Sequence, residues 1–343
     1  MDFTGKVVAI TGAAGGIGQA LSRHFASMGA KIGAIDRSEA VKNFARDLAR
    51  EGITIEPAIA DIGDEAEVGK AFAKVVGALG VVDVLINNAG VSRASNLKKT
   101  TGEIFRKDVE DNLNGTYYCS AAVLAGMQAK GGGAIVNISS VNGLSTFGDP
   151  AYSAAKAGII NLTQSMAVEY GRYGIRVNVI CPGTVRTPVW QHRIDREPEI
   201  LSKLSKWYPL GRIVEPADVA RAVAFLASDN AAAITGAVLP VDCGLTAGNI
   251  VMTRELTLEE FCNTLSSRAR RSAKAVRRRH GTPRRVNAGV SRLEVPGQQR
   301  SIPCCAAPGM TGHRMNGREV IWTGCASASS GSAGSARSIA TRS

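Results

Sequence analysis

The chain has 343 residues, 45% of them hydrophobic, which is enough apolar material for the core of one large domain or two. Its formal charge of +12 is unevenly placed: residues 262–343 hold 15 Lys and Arg against 2 Asp and Glu, whereas residues 1–261 carry a net of −1, so the charge does not describe a basic folded surface. No apolar run approaches the ~20 residues that span a bilayer, no basic-apolar-cleavage pattern precedes the first strand, and Cys119, Cys181 and Cys243 show no pairing pattern, so a soluble protein of the reducing cytoplasm is expected.

Lys6 to Thr11 reads as a β-branched strand, followed by Gly12-Ala13-Ala14-Gly15-Gly16-Ile17-Gly18 and a helical pattern through Met28. A glycine loop that opens a helix lets bare backbone approach a pyrophosphate and aims N–H groups and the helix dipole at it. The spacing is T-G-x-x-x-G-x-G rather than G-x-G-x-x-G, and by itself it would equally make a tight turn. Lys31 to Ile35 is a second strand, with Asp36 at its end, 18 residues after Gly18, where an acidic residue meets an adenosine ribose. A carboxylate accepts hydrogen bonds from both ribose hydroxyls and repels a 2′-phosphate, so NAD is expected over NADP; Arg37 pulls the other way. A third strand, Ile53 to Ala60, ends in Asp61-Ile62, and an acidic helix follows for which Asp61 is also a candidate N-cap.

Val82 to Ile86 is a fourth strand, leading into Asn87-Asn88-Ala89-Gly90, whose amides are suited to tying neighbouring strands together. Asp111-Asn112-Leu113-Asn114-Gly115 lies within a helix, and Ile135 to Ile138 is a buried strand that delivers Ser139 and Ser140 to a sheet edge. Val141 to Ala151 is a loop by composition. Tyr152 and Lys156, four apart, share a helix face; an ammonium beside a phenol that titrates near ~10 favours the phenolate and makes Tyr152 a usable acid or base. The same spacing is common on ordinary helices, so its surroundings decide. Gly174 to Ile180 is a sixth strand, followed by Cys181-Pro182-Gly183-Thr184-Val185-Arg186-Thr187-Pro188. Residues 188–212, with Trp190, His192, Trp207 and Tyr208, are long for a connection and read as a substrate lid, His192 being a surface residue. A helix over Asp218 to Ser228 and a seventh strand over Ile234 to Asp242 complete an alternating βα pattern, which predicts a single doubly wound α/β domain on a parallel sheet.

A glycine loop, a strand-end serine and a Tyr-x-x-x-Lys in this order make a constellation. From about Phe3 to Asn249 the chain resembles the short-chain dehydrogenase/reductase family of nicotinamide-dependent oxidoreductases. The resemblance implies a Rossmann-type fold in which Gly12, Gly16, Ile17 and Gly18 hold the phosphates, Asp36 and Arg37 face the ribose, and Asp61 and Ile62 touch the adenine. It further implies Asn88, Ala89 and Gly90 as cofactor wall, and Pro182, Gly183, Val185 and Thr187 around the nicotinamide amide. Asn112, with Asn114 nearby, matches an asparagine that kinks its helix and holds a water of a proton relay. Ser140-Val141-Asn142-Gly143 matches the family's S-x-x-G, which makes Ser140 the substrate-oxygen donor and leaves Ser139 as the alternative. Tyr152 is then the acid/base, and Lys156 lowers its pKa and grips the nicotinamide ribose. Ser92, Asn142, Phe147 and the lid aromatics are expected to wall the site of a small alcohol or ketone. A homodimer or homotetramer built on the helices of Asn112 and Tyr152 is implied as well.

Beyond Phe261, Arg270-Arg271, Arg277-Arg278-Arg279-His280 and Arg284-Arg285 give way to Gly-, Ser- and Ala-rich sequence, which reads as a disordered basic tail. Without interleaved aromatics it is expected to touch nucleic acid only non-specifically. Cys304, Cys305, His313 and Cys325 lack a C-x-x-C pair, so no metal is expected. Translation outside the original reading frame would also account for the shift in composition. The reading is therefore an NAD-dependent oxidoreductase interconverting a secondary alcohol and a ketone, with a non-catalytic cofactor-binding scaffold and a tail-driven nucleic-acid binder as rivals.

Overall fold

In the computed structural model, which describes residues 1–257, seven strands form one parallel sheet in the order β3-β2-β1-β4-β5-β6-β7. They are β1 (Val7–Thr11), β2 (Lys31–Asp36), β3 (Ile55–Ile59), β4 (Val84–Asn87), β5 (Gly133–Ile138), β6 (Ile175–Pro182) and β7 (Val238–Val241). The helices are α1 (Gly16–Ala26), α2 (Ala40–Arg50), α3 (Glu65–Leu79), α4 (Gly102–Val109), α5 (Gly115–Lys130), α6 (Pro150–Tyr170), α7 (Gln191–Arg196), α8 (Ile200–Ser205), α9 (Pro216–Ala227) and α10 (Ile250–Thr257). Helices cover both sheet faces, which is why the strands are apolar at nearly every position instead of alternating. Val8 and Ile10 of β1 pack with Leu21 and Phe25 of α1 and Val219 and Val223 of α9. Val7 and Ala9 point the other way, onto Phe72 of α3 and Cys119 and Met127 of α5.

The strand order reverses between β1 and β4, so the loops after these two strands diverge and open a crevice at their carboxyl ends. Register brings the pieces together: Ile10 lies opposite Ile86, and the chain turns into Gly12 on one strand and Asn88 on the next. The amides expected to tie strands do so. Asn87 Nδ2 donates to Asn137 Oδ1 at 2.8 Å and to Ser120 Oγ at 2.9 Å, and Asn88 Nδ2 donates to the Thr11 and Gly12 carbonyls.

Local chemistry moves several expected boundaries. The N-cap of α3 is Asp64, which accepts from the Ala66 and Glu67 N–H groups, while Asp61 caps only its own turn at Gly63. Helix α9 starts at Pro216, two residues early, because Glu215 and Asp218 form a reciprocal capping box and proline suits the first turn. Residues 188–212 are not a bare loop but contain α7 and α8, held by a small cluster of Ile200, Leu201, Tyr208 and Ile213. Between α4 and α5, Glu110–Asn114 form a π-helical turn. Asn112 causes it: its Nδ2 takes the Asp108 carbonyl at 2.8 Å, and this insertion into the helix ladder pushes the backbone pairing out of register. The expectations for residues 258–343, the disordered tail and its lack of a metal site, lie outside the described residues.

Candidate active site

The α1 end of the crevice suits a dinucleotide. Gly15 is the N-cap of α1 and offers no side-chain cap, and the first turn holds no acidic residue, so the leading N–H groups face the crevice. Gly18 packs so closely on the preceding turn that a Cβ there would stand 2.1 Å from the Gly12 carbonyl oxygen; a Cβ on Gly16 would stand 2.8 Å from Pro188 Cδ. A cavity of about 270 Å³ is lined here by Gly12, Gly16, Ile17, Asp36, Arg37, Asp61, Ile62, Asn88, Ala89 and Gly90, which unites the residues expected to hold the adenosine half. Asp36 is already oriented: Oδ2 accepts from the Ala14 N–H and Oδ1 from the Ser38 N–H, both at 2.9 Å, with lone pairs left for hydroxyl donors.

A larger cavity, about 1440 Å³, adjoins it through the shared walls Ile17, Asn88, Gly90, Val91, Thr187 and Val189. Tyr152, Lys156, Ser139, Ser140, Asn142, Phe147, Pro182, Gly183, Val185 and Thr187 line it, as do Ser92, Trp190 and Trp207. The two serines separate cleanly. Ser139 Oγ donates to the Lys156 carbonyl at 2.8 Å and is buried against the backbone of α6, whereas Ser140 Oγ accepts the Asn142 N–H at 3.1 Å and lies close enough to the Tyr152 phenol to lower its pKa. Lys156 is 2% exposed; its Nζ donates to the Ile138 carbonyl at 2.8 Å and lies 5.4 Å from the Tyr152 ring centre. Gly90 lets it approach, since a Cβ there would meet Asn112 Oδ1 at 2.8 Å and Lys156 Nζ at 3.0 Å. Asn112, not the half-buried Asn114, is the residue brought to this point, and its side chain also clamps Val91 through N–H and carbonyl.

The electrostatics differ from the simple pairing expected of Tyr152 and Lys156. Burial pushes the Tyr152 phenol up to about 12, opposed by the Ser140 hydrogen bond and reinforced by the charges of Asp149 and Cys181. Burial also pulls the Lys156 ammonium down to about 8. Burial therefore dominates both groups in the free protein, and the Lys156 charge is not among the influences that move the phenol.

His192 is exposed and does not line the cavity. Tyr208 is more a strut than a substrate wall: it is buried, and its phenol oxygen accepts the Thr184 N–H at 2.9 Å, which holds the Gly183 turn. Val185 is pinned by a bridge to Val214. Sequence reasoning missed Asp149 and Arg193, which also line the cavity, and the Arg93 ion pairs to Asp108 and Asp111 that brace the π-helical turn. Pro150 was the available signal for Asp149, because proline at the first helical position makes the preceding residue an N-cap. Among the described residues no group of His, Cys, Asp and Glu is placed to hold a metal, and no helix is long and apolar enough to cross a membrane.

Known proteins resemble this chain in sequence and fold. A family model described as enoyl-(acyl carrier protein) reductase matches residues 12–246. An uncharacterised oxidoreductase of Schizosaccharomyces pombe is 43% identical over 260 residues, covering 76% of this chain and 98% of its own. A crystal structure of a short-chain dehydrogenase/reductase family oxidoreductase from Burkholderia thailandensis is 49% identical, with a TM-score of 0.71 over 75% of this chain and 98% of that one. A gluconate 5-dehydrogenase from Burkholderia cenocepacia, solved with NADP and tartrate, is 32% identical, with a TM-score of 0.68 over 72% of this chain and 97% of that one. With the sheet order, the glycine loop and the Ser140, Tyr152 and Lys156 cluster in hand, these matches place the chain in the short-chain dehydrogenase/reductase family of oxidoreductases.

Proposed function

We propose that the protein interconverts a secondary alcohol and a ketone with NAD, using Tyr152 as the acid/base. The observation that carries this reading is the convergence of Ser140, Tyr152 and Lys156 on one wall of a cavity that adjoins the glycine-loop crevice. A bound nicotinamide dinucleotide supplies the hydride acceptor or donor. Tyr152 takes the carbinol proton in oxidation and returns one to the carbonyl oxygen in reduction, and Ser140 hydrogen-bonds that oxygen. Lys156 would grip the nicotinamide ribose, a role supported by its hold on the Ile138 carbonyl beside Gly90, and Asn112 orders the turn next to it. Trp190 and Trp207, on the α7 and α8 segment, form the apolar side of the cavity and support the reading of residues 188–212 as a lid.

Preference for NAD rests on Asp36, whose carboxylate is fixed by two backbone N–H groups where a 2′-phosphate would approach. The NADP bound by the gluconate 5-dehydrogenase relative favours a second reading, and Arg37 on the same cavity wall is the group that would serve it. A homo-oligomer is supported by exposed apolar side chains on the helices expected to form its interface, among them Phe105, Tyr117 and Val168. The last described strand ends at Val241, and the charge is concentrated beyond Phe261, which supports a catalytic domain of residues 1–261 and a basic extension.

The test is a panel of secondary alcohols and ketones followed by nicotinamide absorbance with both cofactors. Turnover with NAD that Asp36→Ala shifts toward NADP agrees with the proposal. A wild-type preference for NADP transfers the assignment to Arg37, and no turnover with any of the panel overturns it.

A further inference from the structure

The residue before the catalytic helix is built unlike an ordinary cap. Asp149 is the N-cap of α6, a position where aspartate normally spends its carboxylate on the first N–H groups of the helix, yet its side chain makes no cap hydrogen bond. Its backbone sits in the left-handed region, at φ 49°, one of two non-glycine residues with positive φ among those described. That conformation costs an L-residue about 1 kcal/mol or more and persists where neighbours enforce it. The enforcement is visible: the Asp149 N–H donates to the Ser95 carbonyl, the Ser153 N–H donates to the Asp149 carbonyl, and Ser92 Oγ donates to Asp149 Oδ1 at 2.9 Å. A half-buried carboxylate is thus turned away from its helix and into the wall of the large cavity, three residues ahead of Tyr152.

Only one carboxylate oxygen is used. Ser92 occupies Oδ1, and the remaining acceptor capacity of Oδ2 is available to a donor in the cavity. The neighbouring polar group is not a competitor, because both Asn142 N–H donors are spent, on the Gly148 carbonyl and on Ser153 Oγ. The charge of Asp149 also reaches the phenol, where it raises the Tyr152 pKa.

We propose that Asp149 is a specificity-determining residue that accepts a hydrogen bond from a second hydroxyl close to the reacting carbon, so that diols, polyols or their hydroxyketones are the preferred substrates. This rests on the reading of the site as an alcohol dehydrogenase. A fixed carboxylate rewards a hydroxyl donor and leaves an acceptor in the cavity wall, covered by the bound substrate, unmet when that substrate has only one oxygen, which discriminates more sharply than apolar fit does. Donation from the substrate also spreads the Asp149 charge that opposes ionisation of Tyr152. Binding of the second hydroxyl and ionisation of the phenol to the form that takes the carbinol proton then favour each other.

The experiment compares matched pairs that differ by one hydroxyl, 2-butanol with 2,3-butanediol and cyclohexanol with 1,2-cyclohexanediol, in the full chain with NAD, for wild type, Asp149→Asn and Ser92→Ala. Asparagine tolerates the left-handed backbone and keeps an oxygen for Ser92, so this variant removes the charge and not the fold. The kcat/KM ratio of diol to monohydric alcohol should fall at least tenfold in Asp149→Asn and much less in Ser92→Ala, and the alkaline rise of monohydric oxidation should move to lower pH in Asp149→Asn. A ratio that does not move, or that falls equally in both variants, makes Asp149 a loop staple and overturns the inference while leaving the dehydrogenase assignment intact. Absence of any Tyr152-dependent oxidation overturns both.

Discussion

Tyr152 and Lys156 titrate in opposite directions for one reason: the same burial disfavours an anion on the phenol and a cation on the amine. At neutral pH the phenol of the free protein is therefore protonated, which suits reduction, and oxidation should speed up as pH rises. Tyr152→Phe should lower turnover at least a thousandfold in both directions while NAD affinity, read by fluorescence titration, changes less than threefold. Retained turnover would remove the phenol from the reaction. The lysine makes a separate claim about stability. Its folded pKa of about 8 lies below its ordinary 10.5, so between these values the unfolded chain binds more protons and stability rises with pH through that window. The phenol works the other way above pH 10, where the folded state holds the proton until about 12. Lys156→Met should accordingly stabilise the free protein at pH 7 by roughly 1–3 kcal/mol, flatten the gain between pH 8 and 10, and abolish activity. Denaturant midpoints across that pH range check it; a loss of stability at pH 7 would show that the bond to the Ile138 carbonyl outweighs the desolvation of the ammonium.

At the scale of elements, what the sequence made legible was whatever a local pattern encodes. The central strands announce themselves as apolar, largely β-branched runs, and each of the seven overlaps a stretch read as a strand; the glycine loop, Asp36, Asn87 to Gly90 and the Tyr152 to Lys156 turn are short segments whose geometry follows from their own residues. What was not legible depends on partners distant in sequence. The π-helical turn at Glu110–Asn114 requires Asn112 to meet both Asp108 and Val91, and the difference between Ser139 and Ser140 shows only once the α6 backbone that Ser139 bonds is in place. Asp149 stayed hidden because its role shows only once Ser92, 57 positions away, is beside it. The tie between β4, β5 and α6 is of the same long-range kind and is testable. Asn137 accepts from Asn87 and donates to Thr163 Oγ1 at 2.8 Å, all three buried, so Asn137→Ala takes one hydrogen bond from each of two buried groups and should cost about 1–3 kcal/mol in chemical denaturation. Gly18→Ala sets a Cβ against the Gly12 carbonyl, where only backbone can yield, and should weaken NAD binding at least a hundredfold by isothermal titration.

For the whole molecule, the charge and the chemistry belong to different stretches. Residues 1–261 are close to neutral and contain the seven described strands and every residue assigned to the site, and the family match stops at residue 246. Residues 262–343 carry a net of +13 with little apolar periodicity. If the folded unit is complete by Phe261, ending the chain there removes none of the described strands or cavity walls, and both the thermal midpoint and kcat/KM should stay within experimental error of the full chain. The full chain should meanwhile adhere to heparin or duplex DNA with an affinity that falls steeply between 50 and 200 mM salt, because neutralising phosphates or sulfates with clustered arginines releases condensed counterions. That adhesion should vanish in the shortened chain, which has no net positive charge to replace it. A shortened chain that unfolds or loses turnover would mean that the basic extension docks on the dehydrogenase domain and completes it, and the arginine clusters would then have to be sought at the surface they cover.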